Sequence, residues 1–257
     1  MAGEHVNEHV DLTAVTPGRF GHYAALLTAI LTAVSFAFAL YAIPISGANC
    51  PENCVEYPYL DTAARFPRDF MWMPLAILLV LAYVTMMVSI HDYAPGNRKT
   101  FSQAGLSFAL MSATILSSAY FIQFSVIPIS LMKGQTEGLA ALIQYNPHGV
   151  FIAMEEFGYL LMSLSFLFVA PVFAGNKRLE AAVRWIFAGA FFLAIAALIA
   201  ISLIYGLERL DRFEVVVISI DWLVLMVNGV LLSILFKRQP QSAGGLAARA
   251  AHEGTVT

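Results

Sequence analysis

Three carboxylic acids, Glu155, Glu156 and Asp221, interrupt stretches of this chain that are otherwise apolar. An aspartate near the centre of a membrane helix costs roughly 2.5 to 3.5 kcal/mol, so such a group points by default to a ligand or a proton. Glu155 and Glu156 fall about two turns into one apolar stretch, and Asp221 about two turns into another. Helical spacing recruits further polar groups. Glu214, Asp221 and Asn228 recur every seven residues, which aligns them along one helix face. Tyr120 and Gln123 sit three apart on a third stretch, and Tyr159 follows Glu155 by four. Counting about 1.5 Å per residue from the stretch ends puts Tyr120, Gln123, Glu155, Glu156 and Asp221 at similar depths. His148 lies a further two turns outward from Glu155, at the mouth.

These groups predict a polar pocket open to the outside, with Glu155 or Glu156 as primary carboxylate, Asp221 as the second, and Gln123 and Tyr120 orienting a ligand. Adjacent helical residues diverge by about 100°, so Glu155 and Glu156 must address different neighbours. No Lys or Arg lies deep in an apolar stretch to neutralise them. The carboxyls can stay protonated, which gives proton coupling; a cation can occupy the site, with Tyr120, Tyr159 and Trp222 adding cation–π contacts; or Arg65 and Arg68 can fold in from a loop. The structural alternative makes the acids, with Gln123 and Asn228, interhelical hydrogen-bond glue, worth about 0.6 kcal/mol per pair on average.

Paired carboxylates with His148 would also suit general acid–base chemistry on a lipid. Against this, no nucleophile accompanies them, and His148 lies too far along the helix to touch Glu155. The chain has no Walker loop, G-x-S-x-G elbow or H-E-x-x-H, and no paired histidines inside the apolar stretches, so no cofactor is expected. His91 and Asp92, next to a Tyr-Ala-Pro-Gly helix end, read as a structural cap favoured by the helix dipole.

The elements that must position these residues are long. The 257 residues are 59% hydrophobic and 12% charged, with a mean hydropathy of +0.74; soluble domains carry about 25% charge. Runs of roughly 20 apolar residues cross a bilayer as helices. They are predicted at Tyr23–Ser46, Trp72–Ile90, Ser102–Met132, Gly149–Phe173, Ala181–Tyr205 and Val215–Phe236. Continuous apolar character without alternation argues against an outer-membrane barrel. The first run is too long for a signal-peptide core and follows an acidic segment, so it is expected to be retained. The net charge of −3, with no basic patch, excludes a nucleic-acid partner.

Sidedness follows from Lys and Arg in the loops. Arg19, Arg98–Lys99, Lys177–Arg178 with Arg184, and Lys237–Arg238 fall on one side. The opposite loops are poorer in net positive charge, although Arg65, Arg68, Arg209 and Arg212 occur there among acids. Both termini are therefore predicted to be cytoplasmic. Cys50 and Cys54, the only two cysteines, fall in the first outer loop, where an oxidising environment favours a disulfide over a metal or redox pair.

Residues 1–20 form a polar cytoplasmic segment in which His5, Glu8 and His9 could share a helical face; a mobile tail without metal is the expectation. Residues 21–238 form the membrane domain, with outer loops at about 47–71, 133–148 and 206–214, and an Ala-, Gly- and Ser-rich tail at 239–257 is expected to be disordered. The loop at 133–148 contains a short helix candidate, Gly138–Ile143. A faint repeat pairs Ala42–Ser46 (AIPIS) with Val126–Ser130 (VIPIS), each followed after its loop by a proline and an aromatic, Pro67–Phe70 and Pro147–Phe151. Small residues Gly105, Gly158, Gly189 and Gly229 are expected at close helix contacts.

The chain thus reads as an all-α integral membrane protein, a six-transmembrane-helix bundle with both termini cytoplasmic, in a cell membrane and foremost a bacterial inner membrane. The leading function is binding or transport of a small solute or cation, with proton coupling. The alternatives are an accessory or sensory subunit with structural acids, and a lipid-modifying enzyme. The expected partners are the lipid bilayer, a small ligand, and a membrane-protein partner or a second copy.

Overall fold

The structure, a computed structural model, describes residues 17–41, 45–175 and 177–238. These residues are helical, with no strand among them, and six helical segments are long and apolar enough to cross a membrane. The elements are α1 (Pro17–Tyr41), α2 (Trp72–Tyr93), α3 (Lys99–Ser125), α4 (Ile127–Met132), α5 (Val150–Val169), α6 (Arg178–Tyr205) and α7 (Arg212–Lys237). The predicted polar tail at 239–257, most of the N-terminal segment with His5, Glu8 and His9, and the Ala42–Pro44 part of the AIPIS repeat lie outside the described residues.

Helix ends depart from the apolar runs for local reasons. α1 begins at Pro17, whose fixed φ suits a first helical turn, and ends at Tyr41, ahead of Pro44, so it is shifted from the expected Tyr23–Ser46. α2 stops at Tyr93 because Ala94, preceding Pro95, is extended at φ −63 and ψ 130. Its last carbonyls accept from Lys99 Nζ, at 2.5 Å for His91 O and 3.2 Å for Asp92 O. Lys99 therefore supplies the cap expected of His91, whose ring instead bonds Ser102 Oγ at 2.8 Å. The third span is not one helix. Pro128 lies in the first turn of α4 and has no N–H for a helix running through, so the chain breaks at Val126. Gly138–Ile143 contributes only a 3-10 turn at Leu139–Ala141.

The helices form a closed ring in which α1 packs on α2 and α7, α3 on α2 and α5, and α6 on α5 and α7, with α5 and α7 also touching across it. Close approaches occur where a side chain is missing. A Cβ on Gly229 of α7 would lie 2.9 Å from Ala25 O of α1, and one on Gly105 of α3 would lie 3.0 Å from Ser165 O of α5. Gly158 meets Leu116 in the same way, but Gly189 is exposed with nothing within 4 Å and plays no such part. His22 and Ser233 are hydrogen-bonded, so the ends of α1 and α7 nearest the chain termini lie side by side at the short-loop end of the bundle.

The long loops, 45–71, 133–149 and 206–211, are bonded to each other at the other end. Ser46 Oγ donates to Tyr145 O at 2.5 Å, Tyr145 Oη to Asp69 Oδ2 at 3.1 Å, and Ala48 N to Asp211 Oδ1 at 2.8 Å. Cys50 and Cys54 lie at disulfide distance, 2.00 Å between sulfurs, within this cap. Tyr145 is held neutral there: burial, and then the Asp69 carboxylate, push its phenol well above the ordinary range.

Candidate functional site

Beneath the cap, α5 and α7 face each other with their acids. Both helices start at the long-loop end, so equal steps along each reach similar depths. The Glu155 carboxyl lies within hydrogen-bonding reach of the Glu214 carboxyl and beside the Tyr120 hydroxyl. Glu155 is 1% exposed, and its Oε1 has no hydrogen-bond partner among the described residues. Glu214 is partly exposed. Two carboxylates in contact only repel; one proton held between them converts the contact into a hydrogen bond.

Glu156, one residue on, turns away as the helical step requires and meets Arg209 in a two-pronged ion pair, 2.8 Å at Oε1 and 2.5 Å at Oε2. A neutralising cation is therefore present, contrary to the expectation, and it comes from the loop before α7. Arg65 and Arg68 do not fold in to the acids: both pair with Asp69, at 3.7 and 2.6 Å.

A chain of hydroxyls continues from Glu155 towards the ring centre. Tyr120 Oη and Tyr159 Oη are 2.8 Å apart, and Trp222 Nε1 donates to Tyr159 Oη at 3.0 Å. An indole N–H can only donate, so Tyr159 is left with its single O–H to pass on. Trp72, Phe151 and Phe36 pack edge-on or tilted against Tyr120 and Trp222, with ring centroids 5.1 to 6.1 Å apart, and wall this chain from water.

Asp221 is not at the depth of Glu155. Its Oδ1 accepts from Ser163 Oγ at 2.7 Å, and Ser163 lies eight residues beyond Glu155, about 12 Å further along α5. The predicted common depth fails because the first turn of α7 is already inside the bundle. Phe213 and Val217 are fully buried, so Glu214, read as a loop-edge residue, takes the place opposite Glu155 expected of Asp221. Oδ2 of Asp221 has no partner among the described residues.

The remaining candidates are dispersed. Gln123 is spent on the loop, donating to Leu142 O at 2.5 Å and accepting from Gln144 N at 3.0 Å. Asn228 donates to Val183 O of α6 at 3.3 Å, two heptads from Glu214. His148 is exposed and bonds Asn146 through its backbone, so it forms no acid–base pair with the glutamates. Glu155, Tyr120, Tyr159 and Asp221 are all buried, so the outward-open pocket expected of them is closed in this conformation. An apolar groove of about 430 Å³, lined by Phe20, Tyr23, Leu27 and Thr85 among others, lies on α1 towards the opposite end. Among the described residues no three His, Cys, Asp or Glu side chains cluster as metal ligands.

Sequence could have pointed to Glu214, which shares the heptad stripe with Asp221. Nothing in the sequence pointed to Arg209, whose role depends on its loop folding back over α5. Comparison with known proteins returns no match: no family model fits the chain, and no curated protein or solved structure is similar to it.

Proposed function

We propose that the protein is a multi-pass transporter that binds a proton, and with it a small solute or cation, at the Glu155–Glu214 carboxyl pair. The observation that carries this reading is a buried glutamate facing a second, partly exposed glutamate across two helices, with an unpartnered oxygen at the contact. Two carboxyls in contact form a site for one positive charge, and a proton is the smallest that fits a closed, packed interior. The loop cap and the Arg209–Glu156 pair make this conformation the closed one. The excess of Lys and Arg at the short-loop end places that end, and both termini, in the cytoplasm of a bacterial inner membrane.

Thermal unfolding of the full chain in detergent tests the reading. Wild type, Glu155→Gln and Glu214→Gln are compared across pH with sodium, potassium, ammonium, methylammonium and choline chlorides. A ligand at 100 times its dissociation constant stabilises by about 2.7 kcal/mol. The expected result is a pH- or cation-dependent stabilisation in wild type that both variants lose. A flat wild-type response, with variants merely less stable, overturns the reading and favours the accessory-subunit alternative, in which the acids only join helices as Asn228 joins α7 to α6.

A further inference from the structure

The Glu155–Glu214 pair does not use the deepest acid of the bundle. Asp221 is fully buried, and the groups around it offer no countercharge. α5 presents Ser163 and Tyr159, and α2 presents Tyr83, itself hydrogen-bonded to Ser165. From α1, Ser35 is buried with its hydroxyl unpartnered; the contacts His22–Ser233 and Phe36–Trp222 set the α1–α7 register and put Ser35 at the level of Asp221. From α6, the Asn228–Val183 bond sets a register that puts the apolar Ala190 at this level. No Lys, Arg or His faces Asp221 from any of these helices. An unpaired charge here would carry a desolvation cost of several kcal/mol, so the resting group holds a proton.

Glue alone does not account for the arrangement. An asparagine or serine would accept from Ser163 without an ionisable group, and only one Asp221 oxygen is engaged. The second oxygen lies on the side of the bundle where the tyrosine chain ends. Tyr159 is within electrostatic reach of both Glu155 and Asp221. Trp222, the chain neighbour of Asp221, occupies one lone pair of Tyr159 Oη, so the single Tyr159 O–H points to Tyr120 or turns towards Asp221.

We propose that Asp221, supported by Ser163, is a second proton-binding site midway along the bundle, filled from the Glu155–Glu214 pair through Tyr120 and Tyr159. In the transfer, Glu155 gives its proton to Tyr120 Oη as Tyr120 gives its own to Tyr159. Tyr159 in turn gives its own to the Asp221 carboxylate. Glu155 ends ionised, Asp221 ends protonated, and each tyrosine has lost and regained one proton. The direction of filling rests on the outer pair being a proton site, whereas the protonation of Asp221 can be measured without it.

The test is infrared difference spectroscopy of the full chain in lipid nanodiscs, following the carboxylic-acid C=O bands during exchange from H2O to D2O. Wild type is expected to show a band that disappears in Asp221→Asn and shifts in Asp221→Glu, separate from the band lost in Glu155→Gln. Tyr159→Phe, which removes the relaying hydroxyl but keeps the ring, is expected to slow deuteration of the Asp221 band by about tenfold or more while leaving the Glu155 band unchanged. If Asp221→Asn does not fold, the Asp221→Glu shift and the Tyr159→Phe rate remain decisive. No band assignable to Asp221, or an Asp221 band that exchanges at the wild-type rate in Tyr159→Phe, overturns the proposal. A Glu155 or Glu214 variant that keeps its cation response overturns only the outer-pair reading.

Discussion

Glu155 and Glu156 are chain neighbours with different partners, and the difference is geometric. The helical step turns one towards Glu214 and Tyr120 and the other towards Arg209. That divergence is legible in the sequence, because it needs only the helix period; the identity of either partner is not. Gln123 shows the limit most plainly. A glutamine among apolar residues was expected to orient a ligand, yet Leu142 and Gln144 occupy it, and no spacing rule connects positions 19 and 21 residues apart through a broken helix. Tyr145 gives a prediction at this scale. Its phenol donates to Asp69, and burial followed by that carboxylate holds its folded pKa above the unfolded value of about 10. The stability it contributes is complete below about pH 10 and is lost above it, by up to about 1.4 kcal/mol per pH unit. Tyr145→Phe is therefore expected to lower stability at pH 8 by about 1.5 to 3 kcal/mol, the range for a hydrogen bond to a charged group. It should also flatten the alkaline fall. Thermal melts of both proteins at pH 8 and above pH 10 check this, and parallel alkaline limbs would contradict it.

The helices themselves were the most legible part, because a continuous apolar run of membrane length leaves few other structures open. Their ends were less so. Lys99, Arg178 and Arg212 all begin helices outside the apolar runs, since helical backbone bonds continue into polar surroundings where hydropathy stops reporting them. The kink at Val126 needed only Pro128 to be noticed as a missing donor. Which glycines mark contacts was not legible, because composition does not say which face of a helix meets a neighbour. Gly229 and Gly189 make the contrast testable. A Cβ on Gly229 would meet Ala25 O and Ala29 Cβ at 2.9 Å, backbone-near atoms that can yield only if α1 moves, whereas Gly189 faces open space. Gly229→Ala is expected to destabilise by about 1 to 3 kcal/mol through overpacking, and Gly189→Ala to cause no loss. Equal thermal midpoints for the two variants would mean that the α1–α7 contact is slacker than the structure has it.

At the scale of the whole molecule, the bundle carries its acids beneath a cap that joins every long loop. Asp211 holds Ala48 from one side and Arg209 holds Glu156 from the other, so two residues of a single short loop tie the first loop and α5 to the start of α7. Gly47 sits against Asp211 with φ +74, and a Cβ there would lie 2.5 Å from the carboxylate, so this close approach requires glycine. If the cap is what closes the Glu155–Glu214 site, loosening it should expose the buried carboxyl before the bundle unfolds. Arg209→Ala removes one tie and leaves the Glu156 carboxylate with little water and no partner. Since Arg209 is itself about one-third exposed, the expected cost is about 1 to 2 kcal/mol, between surface and buried pairs. Spent on local opening, that is about a tenfold rise in the open population. A water-soluble carbodiimide with a nucleophilic amine, read by peptide mass spectrometry, should therefore modify Glu155 about tenfold faster in Arg209→Ala than in wild type. Arg209→Ala combined with Glu156→Gln should regain stability, because no unpaired charge remains, but it should keep the faster labelling because the tie is still missing. Labelling that follows global stability in all three proteins would show that Arg209 holds the fold together without closing the site.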